Sequence, residues 1–183
     1  LTVSAQAATL RPLAKLDGPL VYLRDLFDDA GPNADRVLGP GPGPGGRIVV
    51  AAAQLSAIAR QFGVDWRAVS PGERAMLEWP GRPMRREDAL DAVRAALISA
   101  GVAEDCVIDL TGFIPPVLPL NSDPRPEVTQ VDFNSATGRF TALLSVAAEG
   151  IDLITTRIGG QVEDSVEVPV LVTRLPVGAI PRE

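Results

Sequence analysis

Apolar positions along this chain change period several times, and each change marks an element. The first forty residues carry short apolar runs broken by Pro and Gly. Residues 9–16 read as a strand that Pro12 confines to an edge, and Gly18-Pro19 turns the chain into a second strand, Leu20-Val21-Tyr22-Leu23. An alternating Gly/Pro turn over 39–46 leads into the apolar run Ile48-Val49-Val50. From Ala51 the spacing becomes helical. Leu55, Ile58, Ala59 and Phe62 form one stripe, and Gly63 stands where a left-handed C-cap is wanted. Ala75 to Trp79 returns to a strand. A second stripe of Ala89, Leu90, Val93, Ala96, Leu97 and Ala100 predicts a helix over 85–100 stopped by Gly101. Arg85-Arg86 at its start opposes the helix dipole, an effect that Glu87 and Asp88 offset.

Beyond this helix the texture is β. Ile108-Asp109-Leu110 reads as a strand, and Pro115 to Pro126, rich in proline, reads as a linker. Residues 128–133 and 139–146 alternate on either side of a turn at Asn134 to Gly138, a hairpin signal, with Phe140, Ala142, Leu144 and Val146 on one face. Two more strands are expected over 151–158 and 166–175, with Gly159-Gly160 as a break. The fold class that follows is α+β. An N-terminal mixed domain over 9–125 lays two amphipathic helices on short strands, and a mostly β domain follows from 126 to 183. The stretch 39–79 organises the first of these.

Composition narrows the chemistry. Histidine is absent, which removes His-activated Ser and Cys nucleophiles, His zinc ligands and the commonest acid/base side chain. The lone Cys106 follows a helix and precedes Val107-Ile108, so it reads as a buried structural thiol. Residues 1–103 hold 12 basic and 11 acidic side chains, and residues 104–183 hold 5 and 12. An acidic second half repels phosphate backbones and argues against nucleic-acid binding. The Gly/Pro turn does not suit a phosphate either, since its three prolines lack the N–H groups a phosphate cradle needs. Asp25, Asp28 and Asp29 cluster without EF-hand spacing and read as capping and solvated residues. Trp66 and Trp79 read as packing residues, Trp66 anchoring the first helix to its sheet.

An enzyme built from this composition has to work with carboxylates. Glu73, Glu78, Asp109 and Asp132 are the candidates, and they share no motif. No catalytic, cofactor-binding or metal-binding residues are assigned, and a non-enzymatic protein without a cofactor is expected. No stretch reaches the ~20 apolar residues of a membrane span. Ala5-Gln6-Ala7 matches the small-x-small pattern of a signal-peptide cleavage site, so residues 1–8 read as a signal-peptide remnant and export is expected.

Several stretches taken in order resemble the flagellar basal-body P-ring formation protein family (FlgA family). Val21-Tyr22-Leu23-Arg24-Asp25-Leu26-Phe27 is similar to an early segment of that family. The Gly/Pro turn, Ile58-Ala59 and Gly63-Val64-Asp65-Trp66 resemble the block that follows it. Val131-Asp132-Phe133 to Thr137-Gly138-Arg139-Phe140 resembles its hairpin. Glu167-Val168-Pro169-Val170-Leu171 and Arg174 to Ile180 resemble the entry to its C-terminal SAF domain, a β-clip module. The resemblance implies a periplasmic, non-enzymatic chaperone whose client is the flagellar P-ring protein, which it helps to assemble around the rod. It also implies that residues 126–183 include the start of a truncated SAF domain, the rest of which would follow Ile180. Client binding is expected through exposed β edges or an apolar patch, toward the acidic β half. Two other readings compete. One is a SAF-bearing pilus-assembly protein, which would lack the Gly/Pro–helix–Trp block. The other is a carboxylate hydrolase of cell-wall sugars.

Overall fold

The computed structural model describes residues 7–163, which form an α+β fold with most of its regular structure in strands. The N-terminal part comprises β1 (Thr9–Leu10), β2 (Leu13–Lys15), β3 (Leu20–Tyr22), a single helical turn α1 (Leu23–Leu26), β4 (Phe27–Asp28), β5 (Val37–Pro40), β6 (Arg47–Ala51), helix α2 (Ala52–Phe62) and β7 (Arg74–Glu78). The second part comprises β8 (Gly81–Pro83), helix α3 (Arg86–Ser99), β9 (Val107–Thr111), β10 (Val117–Pro119), β11 (Arg125–Asn134), β12 (Arg139–Ala147) and β13 (Ile154–Glu163). The strand expected over 166–175, the SAF entry and most of the 1–8 remnant lie outside the described residues.

In the first part β7 is central, parallel to β2 on one side and antiparallel to β6 on the other. Helix α2 covers one face of this sheet. Its stripe delivers Leu55 and Ala59 onto Ala75 and Leu77, and all four are almost fully buried. Ala51 has no side chain able to cap α2. Gln54 turns back instead, its Oε1 accepting the Ala51 N–H at 3.3 Å. Gly63 ends the helix at φ 70°, as its position suggested. The Trp66 ring lies tilted against Phe27 with centroids 5.4 Å apart, and Trp79 is buried in the same core.

The expected strand over 9–16 is split at Arg11-Pro12 into β1 and β2, because the two pieces pair with different partners, β4 and β7. The three acids nearby have local work. Asp25 accepts the Tyr22 N–H at 2.7 Å, Asp28 pairs with Arg11, and Asp29 takes a left-handed φ of 55°.

The second part is a four-stranded antiparallel sheet in the order β11-β12-β13-β9, with α3 packed on one face. Ala89, Val93 and Leu97 of α3 meet Phe140, Ala142, Leu144 and Val146 of β12, the face that alternation assigned inward. Cys106 is buried in this core, as its neighbours suggested.

One expectation needs correction here. Gly159-Gly160 is not a break but the middle of β13. A Cβ on Gly160 would stand 2.1 Å from the Asp109 carbonyl and 2.7 Å from the Phe140 ring, so the glycine lets β9, β13 and that ring close on one another. The buried apolar residues gather in two cores. One hydrophobic core gathers residues from Ala8 to Trp79, and the other runs from Met84 to Val162. Helix α3 and β9 therefore belong with the β hairpin, and the line between the cores falls near residues 80–83.

The Pro-rich stretch 115–126 is likewise part of the fold. Its Val117-Leu118-Pro119 pairs with β8, Leu118 is fully buried, and Arg82 donates to the Leu120 and Ser122 carbonyls. The Gly/Pro turn docks at this junction. Gly45 N–H donates to the Trp79 carbonyl at 2.7 Å, and Gly81 leaves no space for a Cβ beside the Gly45 nitrogen.

Candidate functional site: a free strand edge beside an apolar row

Sheet edges decide what these strands can still bind, because an unpaired edge is a row of unused backbone donors and acceptors. The β9 edge in the acidic half is partly covered. The Asp109 carbonyl faces Gly160 on β13, so the even-numbered residues of β9 face away from the sheet. Two carbonyls on this side, one in β9 and one just before it, are taken by arginines of α3. Arg94 donates to Cys106 O at 3.1 Å and Arg86 to Leu110 O at 2.5 Å. This explains the arginine that looked misplaced at the start of α3: it serves the neighbouring strand. Arg85 instead pairs with Asp88, and chiefly that hydrogen bond raises the Arg85 pKa. The opposite edge, β11, is interrupted by Pro126 and by a bulge at Thr129, where two residues stand opposite one.

Among the described residues the β6 edge has neither device. On β7, Met76 N–H donates to Pro12 O and Glu78 O accepts from Leu16 N–H, so these two residues bond toward β2. Ala75, Leu77 and Trp79 therefore bond toward β6, where Val50, Ile48 and Gly46 stand opposite them. That leaves Arg47, Val49 and Ala51 facing the free edge. The Ala51 N–H is occupied by Gln54, and those of Arg47 and Val49 have no partner among the described residues.

The uncovered face of the same sheet is unusually apolar at its centre. Leu13, Met76 and Val49 stand side by side across β2, β7 and β6. Leu13 is 55% and Val49 52% exposed, and Met76 is half-buried. The next row is charged: Lys15, Glu78 and Arg47. On the helix-covered face Ile48 remains 36% exposed, and among the described residues no strand lies beyond it. An added strand would thus find open backbone groups at the edge and apolar flanks on both faces, the arrangement used by proteins that bind extended segments by β-augmentation.

The carboxylates proposed for hydrolysis are dispersed. Glu73 accepts the Val69 N–H in a turn before β7, and Glu78 lies within β7. Asp109 lies 3.7 Å from Arg86 on β9, and Asp132 lies on β11. Since β9 and β11 are the two outer strands of a four-stranded sheet, Asp109 and Asp132 are separated by three strand spacings, about 14 Å along the sheet. Inverting glycosidases place their acids about 6.5–9.5 Å apart. Asp132 alone of the four lines the open cleft of about 780 Å³ at one end of this sheet, with Thr111, Asn134, Arg139, Thr141 and Gln161. That lining can hydrogen-bond a polar molecule, but it contains no second acid to work with Asp132.

Among the described residues no helix is long and apolar enough to cross a membrane. Comparisons with protein-family models, with curated proteins and with solved structures find no match.

The Ile48-Val49-Val50 run was legible as a strand, but its place at the edge was not. Finding it required knowing that β2 and β6 flank β7 on opposite sides, a long-range pairing that local pattern does not encode.

Proposed function

We propose that this protein is a non-enzymatic periplasmic chaperone that holds an extended segment of the flagellar P-ring protein along β6 during ring assembly. The open β6 edge beside the Leu13–Met76–Val49 row carries the reading. Main-chain bonds from Arg47 and Val49 give affinity to any extended strand, and the apolar rows favour β-rich segments not yet paired in their own ring. A chaperone needs this combination, since its client's unpaired strands are the groups that aggregate when left exposed. The resemblance in motif order, from Val21 through the Gly/Pro turn to the Phe140 hairpin, supplies the identity of the client and the compartment. Two of the resembling blocks, the Gly/Pro turn and Gly63 to Trp66, bracket β6 and α2 and so build the element that carries the edge.

The test is co-purification. The full chain, expressed with the P-ring protein in a periplasm, is expected to bring it down in stoichiometric amount and to keep it soluble. Failure of the full chain to retain the P-ring protein, under conditions in which both are folded, would remove the proposal.

A further inference from the structure

We infer that the open cleft at one end of the four-stranded sheet is a binding site for a neutral oligosaccharide, floored by Gly159. The site lies in the second part of the fold and is independent of the β6 edge. Two glycines stand in succession on β13, and the fold requires only one of them. Gly160 faces the Phe140 ring and the Asp109 carbonyl, which leave no room for a Cβ. Gly159 points to the other face of the sheet, away from α3. Among the described residues a Cβ there would meet only the Phe140 carbonyl oxygen, at 3.5 Å, an ordinary contact, and its φ is not positive. The ladders on its two sides, to Thr141 of β12 and Thr111 of β9, run without a bulge. Neither backbone geometry nor packing calls for glycine at 159, and glycine in a strand interior lowers stability. What remains among the reasons for a strand glycine is close approach of a ligand.

The walls of the hollow define the ligand. The missing side chain leaves a gap in the row Asp132–Thr141–Gly159–Thr111, with Thr141 and Thr111 two strand spacings apart, about 9.5 Å. The next row brings Asn134, Arg139 and Gln161 alongside. The cleft holds about 780 Å³, within the range of small-molecule sites. Its lining carries one cation and one anion, Arg139 and Asp132, so neither a phosphate nor a polyamine finds a net countercharge. Thr111, Thr141, Arg139 and Gln161 are exposed, and among the described residues their side chains have no hydrogen-bond partner. The Asn134 Oδ1 is held by the turn, accepting the Ala136 and Thr137 N–H at 3.0 and 3.2 Å, which leaves its NH2 group to donate. A sugar hydroxyl both donates and accepts, and the hydroxyls, amides, guanidinium and carboxylate of this lining offer both at close spacing. An extended peptide fits less well, because its main chain seeks a sheet edge and this is a sheet face. The lining holds no second acid beside Asp132, so the site binds a glycan without hydrolysing it.

The experiment is an NMR titration of the isotope-labelled full chain with cellotetraose, chitotetraose and maltotetraose, each to about 10 mM, a range suited to a Kd near 1 mM. At least one is expected to bind and to shift the amides of Thr111, Thr141, Gly159 and Gln161. Inorganic phosphate at the same concentration is expected to leave them in place. Gly159→Val fills the hollow with a β-branched residue between two threonines. It is expected to melt at or above the wild-type temperature and to weaken binding at least tenfold. Arg139→Ala, at an exposed position, is expected to weaken binding at least tenfold with its melting temperature unchanged. Binding of none of the three sugars, shifts confined to other residues, or phosphate taking the same place overturns the inference. So does a Gly159→Val or Arg139→Ala chain that binds as wild type does. A Gly159→Val chain that melts well below wild type overturns it too, since the glycine would then be serving the fold.

Discussion

Val49→Pro is expected to leave the fold within about 1 kcal/mol of wild type and to abolish capture of the P-ring client, because proline on an edge strand deletes only the N–H that faces outward. The neighbouring substitution is the control. Ile48 faces β7 and its N–H belongs to the β6–β7 ladder, so Ile48→Pro breaks a bond inside the sheet and is expected to cost about 2–4 kcal/mol. The pair separates a binding role from a folding role: position 49 should lose binding without stability, and position 48 should lose both. Urea denaturation gives the stability and co-purification gives the binding. Val49→Thr, which keeps the backbone and the branched shape, is expected to retain most of the client.

Gly160→Val is expected to have the largest effect on stability. A Cβ at this position would lie 2.1 Å from the Asp109 carbonyl and 2.7–2.8 Å from two atoms of the Phe140 ring. The first of these is backbone, which cannot move aside without separating β9 from β13. Overpacking of this kind is expected to cost about 3 kcal/mol or more, lowering the melting temperature by about 10 °C. Gly43→Ala is the matched control, since nothing lies within 4 Å of the added methyl and its φ is not positive. It should melt within about 2 °C of wild type. Equal melting temperatures for the two variants would show that β9 does not close on Gly160.

The elements that local periodicity governs were readable from sequence, and the arrangement that non-local pairing governs was not. The stripe Leu55, Ile58, Ala59, Phe62 and the cap at Gly63 define α2 because helical neighbours are three and four residues apart in the chain itself. Alternation placed Phe140, Ala142, Leu144 and Val146 on the buried face of β12 for the same reason. Gly159-Gly160 looked like a break because the sequence does not show that a carbonyl and an aromatic ring approach at that point. The prolines around Val117-Leu118-Pro119 suggested a linker, yet the pairing with β8 buries Leu118 completely. The acidic count drew attention to the second half as the binding region. There Arg86, 24 residues before Leu110, and Arg94, 12 before Cys106, take up two carbonyls along the β9 edge. The open edge sits instead in the Gly/Pro–strand–helix stretch, whose motifs had served only for identification.

Amide hydrogen exchange of the full chain, with and without the P-ring protein, tests the central claim most directly. The account predicts that the Arg47 and Val49 amides exchange rapidly in dilute, client-free protein and become protected at least tenfold when client is added, while Ile48 and Val50 are protected in both states. Protection that appears elsewhere in the presence of client, with Arg47 and Val49 still exchanging freely, would contradict it.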